Sequence, residues 1–144
     1  MARVKVELPE RLPFKTSMPV SIGDVNYGGH LGNDSMLTLV QEARLRFLKS
    51  KGMSETDAGG VGMTMCDATV CYKAEAFHGD ELEFEMGVSE IGVAGFGLAC
   101  RVSRRSDGAE IARVLTNMAF FDYAKRKLAR TPEAFLKAFS EPQP

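Results

Sequence analysis

The chain has 144 residues, of which 44% are hydrophobic and 26% charged, the proportions of an ordinary globular domain. Its 18 Lys and Arg against 19 Asp and Glu give a net charge of −1, which argues against a nucleic-acid binder that relies on bulk charge. No apolar run approaches the roughly 20 residues of a membrane span, and the charged N-terminal stretch MARVKVELPERLPF lacks the apolar core of a secretory signal.

The first half of the chain predicts a strand, a polar loop and a long helix. The strand is FKTSMPVSI (14–22), and the loop is GDVNYGGHLGND (23–34). From Ser35 to about Lys51, apolar residues recur at spacings of three and four, as they do in a helix. They cover much of its circumference, so we expect this helix to be buried. Three residues suit its ends: Asn33 or Asp34 as the N-cap, and Gly52 just beyond the C-terminus.

Strands dominate the second half. Four are expected in hairpin-like succession, at 61–75, 81–91, 95–104 and 110–123, with the turn RSDG (105–108) joining the last two. TPEAFLKAF (131–139) predicts a short helix capped by Thr131, with Pro132 in its first position. One long helix needs a large covering surface. We therefore expect a single α+β domain over 1–144, with an antiparallel sheet of about five strands wrapped around the helix.

The polar loop lies where a helix begins. A helix N-terminus presents unpaired N–H groups and a partial positive charge, which suits it to stabilise a developing oxyanion. Gly28, Gly29 and Gly32 would let a substrate approach the backbone closely.

The element order, together with DxNxxGHxxN before a helix containing EAR, resembles the hot-dog fold, and more narrowly the acyl-CoA thioesterases of the 4-hydroxybenzoyl-CoA thioesterase type. The resemblance extends over nearly the whole chain, and YKAEAFHGDEL (72–82) resembles the family's strand, loop and Gly-Asp turn. It implies hydrolysis of an acyl-CoA or acyl carrier protein thioester without a metal, by dimers or tetramers with active sites at the subunit interface. The residues that carry it in the loop and helix are Asp24, Asn26, Gly29, His30, Asn33, Glu42, Ala43 and Arg44.

One loop position departs from the family's pattern. Many relatives have a second aspartate, the nucleophile or general base, where this chain has Asn26. An amide neither accepts a proton effectively nor attacks as a carboxylate, although it can orient a water molecule. Three carboxylates could replace the aspartate: Asp24 two residues away, Glu42 about two turns into the helix, and Asp67 within an apolar strand.

The other site residues follow from the resemblance. It implies that backbone N–H groups at Asn33 and its neighbours polarise the thioester carbonyl, with Gly32 and His30 beside them. His30 could instead hold the turn, and Asp24 could cap it. Two other functions stay open. A hot-dog hydratase or dehydratase would carry an Asp–His pair with different spacing, and a non-catalytic thioester-binding protein would explain Asn26.

Cysteine and histidine usage bears on location and cofactors. The chain has an odd number of cysteines without CxxC spacing: Cys66, Cys71 and Cys100. We therefore expect them to be buried thiols in a reducing cytoplasm. With His30 and His78 as the two histidines, no metal site is expected. No cofactor is expected either, because coenzyme A enters as part of the substrate. Neither a membrane nor a nucleic acid is an expected partner.

Overall fold

The computed structural model describes residues 3–140, which form one antiparallel sheet, one long helix and one short helix. In chain order the elements are β1 (Phe14–Pro19), a 3₁₀ turn (Ile22–Asp24), α1 (Asn33–Lys49), β2 (Gly62–Tyr72), β3 (Glu81–Ile91), β4 (Gly95–Arg104), β5 (Glu110–Asp122), β6 (Lys127–Leu128) and α2 (Glu133–Phe139). The predicted α+β class, with five main strands, a long helix and a short C-terminal helix, is confirmed. The two-residue strand β6, which pairs with β5, was not predicted.

The order of strands in the sheet is β1-β3-β4-β5-β2. Strands β3, β4 and β5 form the expected meander, but β2 pairs with β5 at the far edge rather than with β3. The expected hairpin-like succession is therefore wrong for β2. The connection from 73 to 80 bonds instead to the chain before α1. The Leu31 N–H donates to the Ala76 carbonyl at 2.8 Å, and the Gly79 N–H donates to the Val20 carbonyl at 2.9 Å.

Helix α1 packs one face on the sheet and leaves the other exposed. Its buried face repeats at intervals of three and four, which is the spacing of an amphipathic helix. We expected burial around the helix, and this is wrong for Thr38, Gln41, Glu42 and Leu45, which are exposed. Large apolar side chains of the sheet cover the buried face, and each contributes about 1.5–3 kcal/mol. The buried helix residues are Met36, Leu39, Val40, Ala43, Arg44, Phe47 and Leu48.

The ends of the helices differ in detail from the prediction. Helix α1 begins two residues earlier than expected, so its N-cap is Gly32 rather than Asn33 or Asp34. Gly52 has φ +73° after its C-terminus, as expected. Bonds from Gly52 to Lys49 and from Met53 to Leu48 follow the Schellman pattern. The N-cap position of α2 is Pro132 rather than Thr131, and the Thr131 hydroxyl donates instead to the Gly92 carbonyl at 2.7 Å.

The three cysteines lie in different environments. Cys100 is buried, Cys71 is half-buried and Cys66 is exposed on β2, so the expectation of three buried thiols is wrong for Cys66. Burial, with a contribution from the Glu85 carboxylate, raises the pKa of the Cys100 thiol to about 12. Among residues 3–140, no helix combines the length and the apolar character that crossing a membrane requires.

Candidate active site

The polar loop closes into a tight turn in front of α1. Val25 and Leu31 pair across its base as an isolated β-bridge. The Asn26 N–H donates to the His30 carbonyl at 2.9 Å, and the Gly29 N–H donates to the Asn26 carbonyl at 3.0 Å. Gly29 has φ +85°, a conformation that favours glycine. The turn thus fixes Asn26 and His30 close to the beginning of the helix.

Asn26 is held by its own loop. Its Oδ1 accepts a hydrogen bond from the Gly28 N–H at 2.9 Å, as in an Asx turn. A Cβ atom on Gly28 would lie 3.3 Å from both Asn26 Oδ1 and His30 Nε2, so a side chain there would crowd both groups. With Oδ1 engaged, the side-chain NH₂ is the part of Asn26 that remains to donate.

The N-terminus of α1 is left open by Gly32. This residue is buried, and its N–H donates to the Asp24 carbonyl at 2.9 Å. Glycine has no side chain to cap the helix. Within residues 3–140, no hydrogen bond occupies the N–H groups of Asn33, Asp34 or Ser35. These groups are available to an anion or to a polarised carbonyl oxygen.

A cleft of about 240 Å³ lies between this helix end and the end of β2. His30 Nδ1 is 3.2 Å from the Leu31 carbonyl, and His30 Nε2 is 4.0 Å from a Glu75 carboxylate oxygen. The Tyr72 hydroxyl donates to the Asn33 carbonyl at 2.6 Å. The lining residues include His30, Asn33, Met36, Tyr72, Lys73 and Glu75. The cleft therefore combines free N–H donors, an imidazole, a phenol and a carboxylate.

Residues 20–139 match the model of the thioesterase-like superfamily. The chain belongs to this superfamily. The match covers the loop, α1, strands β2 to β6 and α2, and it confirms the family suggested by the loop and the EAR helix. The activity that goes with it is hydrolysis of an acyl thioester. A search of curated proteins finds no match.

The architecture of this thioesterase-like chain is shared with solved structures. A 1,4-dihydroxy-2-naphthoyl-CoA thioesterase from Synechocystis has a TM-score of 0.80 at 21% identity, over 89% of this chain and 96% of that one. A gentisyl-coenzyme A thioesterase has a TM-score of 0.77 at 19% identity, over 88% and 99%. A Staphylococcus aureus protein in complex with CoA has a TM-score of 0.78 at 16% identity, over 87% and 80%. These similarities establish the hot-dog fold.

None of the three candidate carboxylates of this thioesterase-like chain lines the cleft beside His30. Asp24 Oδ2 accepts the Ser21 N–H at 2.8 Å, which caps the 3₁₀ turn. Glu42 is on the exposed face of α1, 3.9 Å from Arg46 Nε. Asp67 is exposed on β2, and its Oδ1 accepts from the Asn117 side chain at 2.7 Å. The catalytic roles of all three stay predictions.

Arg44, from the EAR segment, pairs with Glu55 rather than with Glu42. Its Nε lies 2.5 Å from Glu55 Oε1, and the arginine side chain is only 4% exposed. The pair borders a second cleft of about 420 Å³ between the outer side of α1 and strands β2 and β5. Apolar side chains supply much of its wall, and its lining includes Leu37, Thr38, Gln41, Met63, Met65 and Met118.

Two residues that line the first cleft, Tyr72 and Glu75, were not among the sequence candidates. Tyr72 and Glu75 belong to YKAEAFHGDEL, a segment quoted for its resemblance to the family, so a signal for them was present. It did not reveal that the end of β2 lies against the start of α1, because that contact depends on the chain fold.

Proposed function

We propose that this chain hydrolyses acyl-CoA thioesters, with the thioester carbonyl bound at the N-terminus of α1. The observation that carries the proposal is the open first turn of this helix, where Gly32 leaves the N–H groups of Asn33 and Asp34 uncapped. Those groups, with the helix dipole behind them, stabilise the charge that develops on the carbonyl oxygen. Family membership and the position of the cleft support the same reaction.

The reaction consumes one water molecule. A general base takes a proton from the water as its oxygen attacks the carbonyl carbon, and a tetrahedral oxyanion forms against the helix N-terminus. Collapse of this intermediate breaks the carbon–sulfur bond and releases the free acid, while the coenzyme A sulfur takes up a proton. The side-chain NH₂ of Asn26 orients the water or the thioester. The reaction needs no metal and no cofactor beyond the coenzyme A of the substrate.

The chain is proposed to act as a homodimer joined through the free edge of β2. Residues 64–68 in the middle of this edge strand are all exposed, and they include Met65 at 41% exposure. An unpaired edge is a template for another strand, and a net charge of −1 opposes association weakly. Sedimentation should give a dimer. A Met65→Asp variant, placing a charge at the edge, should give monomers, and a dimer that persists would contradict this interface.

Asp67 is the proposed general base, and it would act in the site of the neighbouring copy. It lies on the same edge, next to a β-bulge between Met65 and Asp67, and bulges are frequent beside active sites. The Asn117 side chain holds one of its oxygens and so orients the carboxylate. Asp24 is engaged in capping, and Glu42 faces Arg46 in a solvent-exposed pair, so both are less suited to the role.

The acyl group is proposed to occupy the second cleft. Asn33, Leu37 and Gln41 follow one another at intervals of four and so lie on one side of α1. With a rise of 1.5 Å per residue, Leu37 is about 6 Å and Gln41 about 12 Å beyond Asn33 along the helix. A medium-length or aromatic acyl group would therefore extend from the oxyanion position along the methionine-lined wall.

The test is a thiol-release screen across short, medium, long and aromatic acyl-CoAs, with the same acyl groups on acyl carrier protein for comparison. Asp67→Asn should lower kcat by about 100-fold or more, the usual contribution of a general base. Asp24→Asn and Glu42→Gln should retain most of the activity. If none of the three substitutions lowers the rate by more than about tenfold, none of these carboxylates is the general base. Coenzyme A as the carrier and a cytoplasmic location are parts of the proposal.

A second candidate function is thioester binding without hydrolysis, which the amide at Asn26 favours. A binder would be stabilised against heating by an acyl-CoA, because a ligand that binds only the folded state shifts the unfolding equilibrium. It would release no thiol over the same period. Turnover in the screen separates the two functions.

A further inference from the structure

Tyr72 makes a contact that the reaction described above does not use. It is the last residue of β2, and its hydroxyl donates to the carbonyl oxygen of Asn33 across a separation of 39 residues at 2.6 Å. Asn33 is the first residue of α1. The bond therefore links the end of a strand to the first peptide unit of the helix whose N-terminus is left open.

The acceptor of this bond shares a peptide unit with one of the uncapped donors. The Asn33 carbonyl and the Asp34 N–H are the two ends of the same amide, so a hydrogen bond accepted by the oxygen polarises the N–H. Such cooperative strengthening amounts to perhaps 10–30% per bond. Burial, and then the charge of the Asp34 carboxylate, raise the pKa of Tyr72 above its usual 10.0, so the phenol keeps the proton that it donates at neutral pH.

We propose that Tyr72 is a positioning residue for the oxyanion site, because its hydroxyl holds the first peptide unit of α1 in place and strengthens the Asp34 N–H as a donor. This role rests on the thioester hydrolysis proposed above. The neighbouring main-chain bond from Leu31 to Ala76 also joins the loop to the segment after β2. That bond does not involve the phenol, so removal of the hydroxyl alone should leave the local fold intact.

The chain offers a matched control for removal of this hydroxyl. Tyr123 also donates its hydroxyl to a main-chain carbonyl, that of Met63 at 3.0 Å, but unlike Tyr72 it does not line the cleft beside His30. Tyr72→Phe and Tyr123→Phe each delete one hydroxyl-to-carbonyl bond and keep the ring. Melting temperatures of the two variants establish that both remain folded under the assay conditions.

The kinetic test compares kcat and KM of the two variants with the parent chain on the best acyl-CoA substrate. Tyr72→Phe should lower kcat about five- to tenfold with KM within about twofold, since the donor is weakened rather than lost and full loss costs about 100-fold. Tyr123→Phe should change neither by more than about twofold. An unchanged kcat in Tyr72→Phe, or an equal fall in both variants, overturns the role of Tyr72.

A second readout needs no substrate. In the amide NMR spectrum, the Asp34 proton should move upfield in Tyr72→Phe, because the N–H is less polarised, and should not move in Tyr123→Phe. An Asp34 resonance that stays in place overturns the proposed polarisation. A parent chain that releases no thiol overturns the hydrolysis and this role with it, whereas turnover that is insensitive to Tyr72→Phe overturns only the role of Tyr72.

Discussion

The buried ion pair of Arg44 with Glu55 fixes the connection between α1 and β2, and it permits a quantitative test. Arg44 is 3% exposed, and its Nε lies 2.5 Å from Glu55 Oε1. The Glu55 main chain contributes as well, since its carbonyl accepts the Met63 N–H at 2.8 Å. Glu55→Gln keeps the size of the side chain and this main-chain bond but removes the countercharge from a buried guanidinium.

Removal of one partner from a buried ion pair typically costs about 3–5 kcal/mol, because the other charge is left uncompensated. The Glu55 side chain keeps 22% exposure, which admits some solvent to the pair. We therefore expect Glu55→Gln to lose about 2–3 kcal/mol of unfolding free energy. For a chain of this size, the loss corresponds to a fall in Tm of about 5–10 °C.

Urea unfolding followed by circular dichroism measures the loss of unfolding free energy. All variants are compared at one protein concentration, because association makes the apparent stability depend on concentration. Glu42→Gln is the matched control. It breaks a glutamate–arginine pair with Arg46 at 3.9 Å and side-chain exposures of 50% and 41%, and such pairs contribute about 0–1 kcal/mol. If Glu55→Gln loses less than about 1 kcal/mol, or no more than Glu42→Gln, the reasoning from burial is refuted.

Three further predictions concern pH, thiol reactivity and the loop. Burial alone would raise the pKa of Glu110, but bonds and charge from basic neighbours led by Arg113 lower it below its usual 4.5. Because its pKa is lower in the folded chain, ionised Glu110 adds stability that is lost as the pH falls through that pKa. The urea midpoint should therefore fall more steeply between about pH 5 and pH 3 in the parent chain than in Glu110→Gln. Equal slopes would contradict this. The Cys100 thiol, buried and with a pKa near 12, should react with iodoacetamide at neutral pH only after denaturation, as mass spectrometry would detect. Gly29→Ala should cost about 1–2 kcal/mol in urea unfolding because φ is +85°, whereas Gly23→Ala, with no heavy atom within 4 Å, should be nearly neutral.

The sequence by itself determined most of the local structure. Strands predicted at 81–91 and 95–104 have those bounds in the fold, because alternation and turn residues act over a few neighbours. The apolar spacing of α1 and the glycine after it also act locally. The family followed from the loop and helix motifs for a related reason, since their residue types and spacing are visible along the chain without knowledge of the packing.

Tertiary structure alone decided which distant segments meet. The placement of β2 beside β5 made β2 an edge strand of the sheet, and it brought Tyr72 to Asn33 across a separation of 39 residues. The same fold joined Arg44 to Glu55 rather than to Glu42 in its own helix. Sequence patterns could not specify these contacts, because they depend on how the sheet and helix bury their apolar faces. The candidate loop was therefore evident from sequence, whereas the cleft beside it required the folded chain.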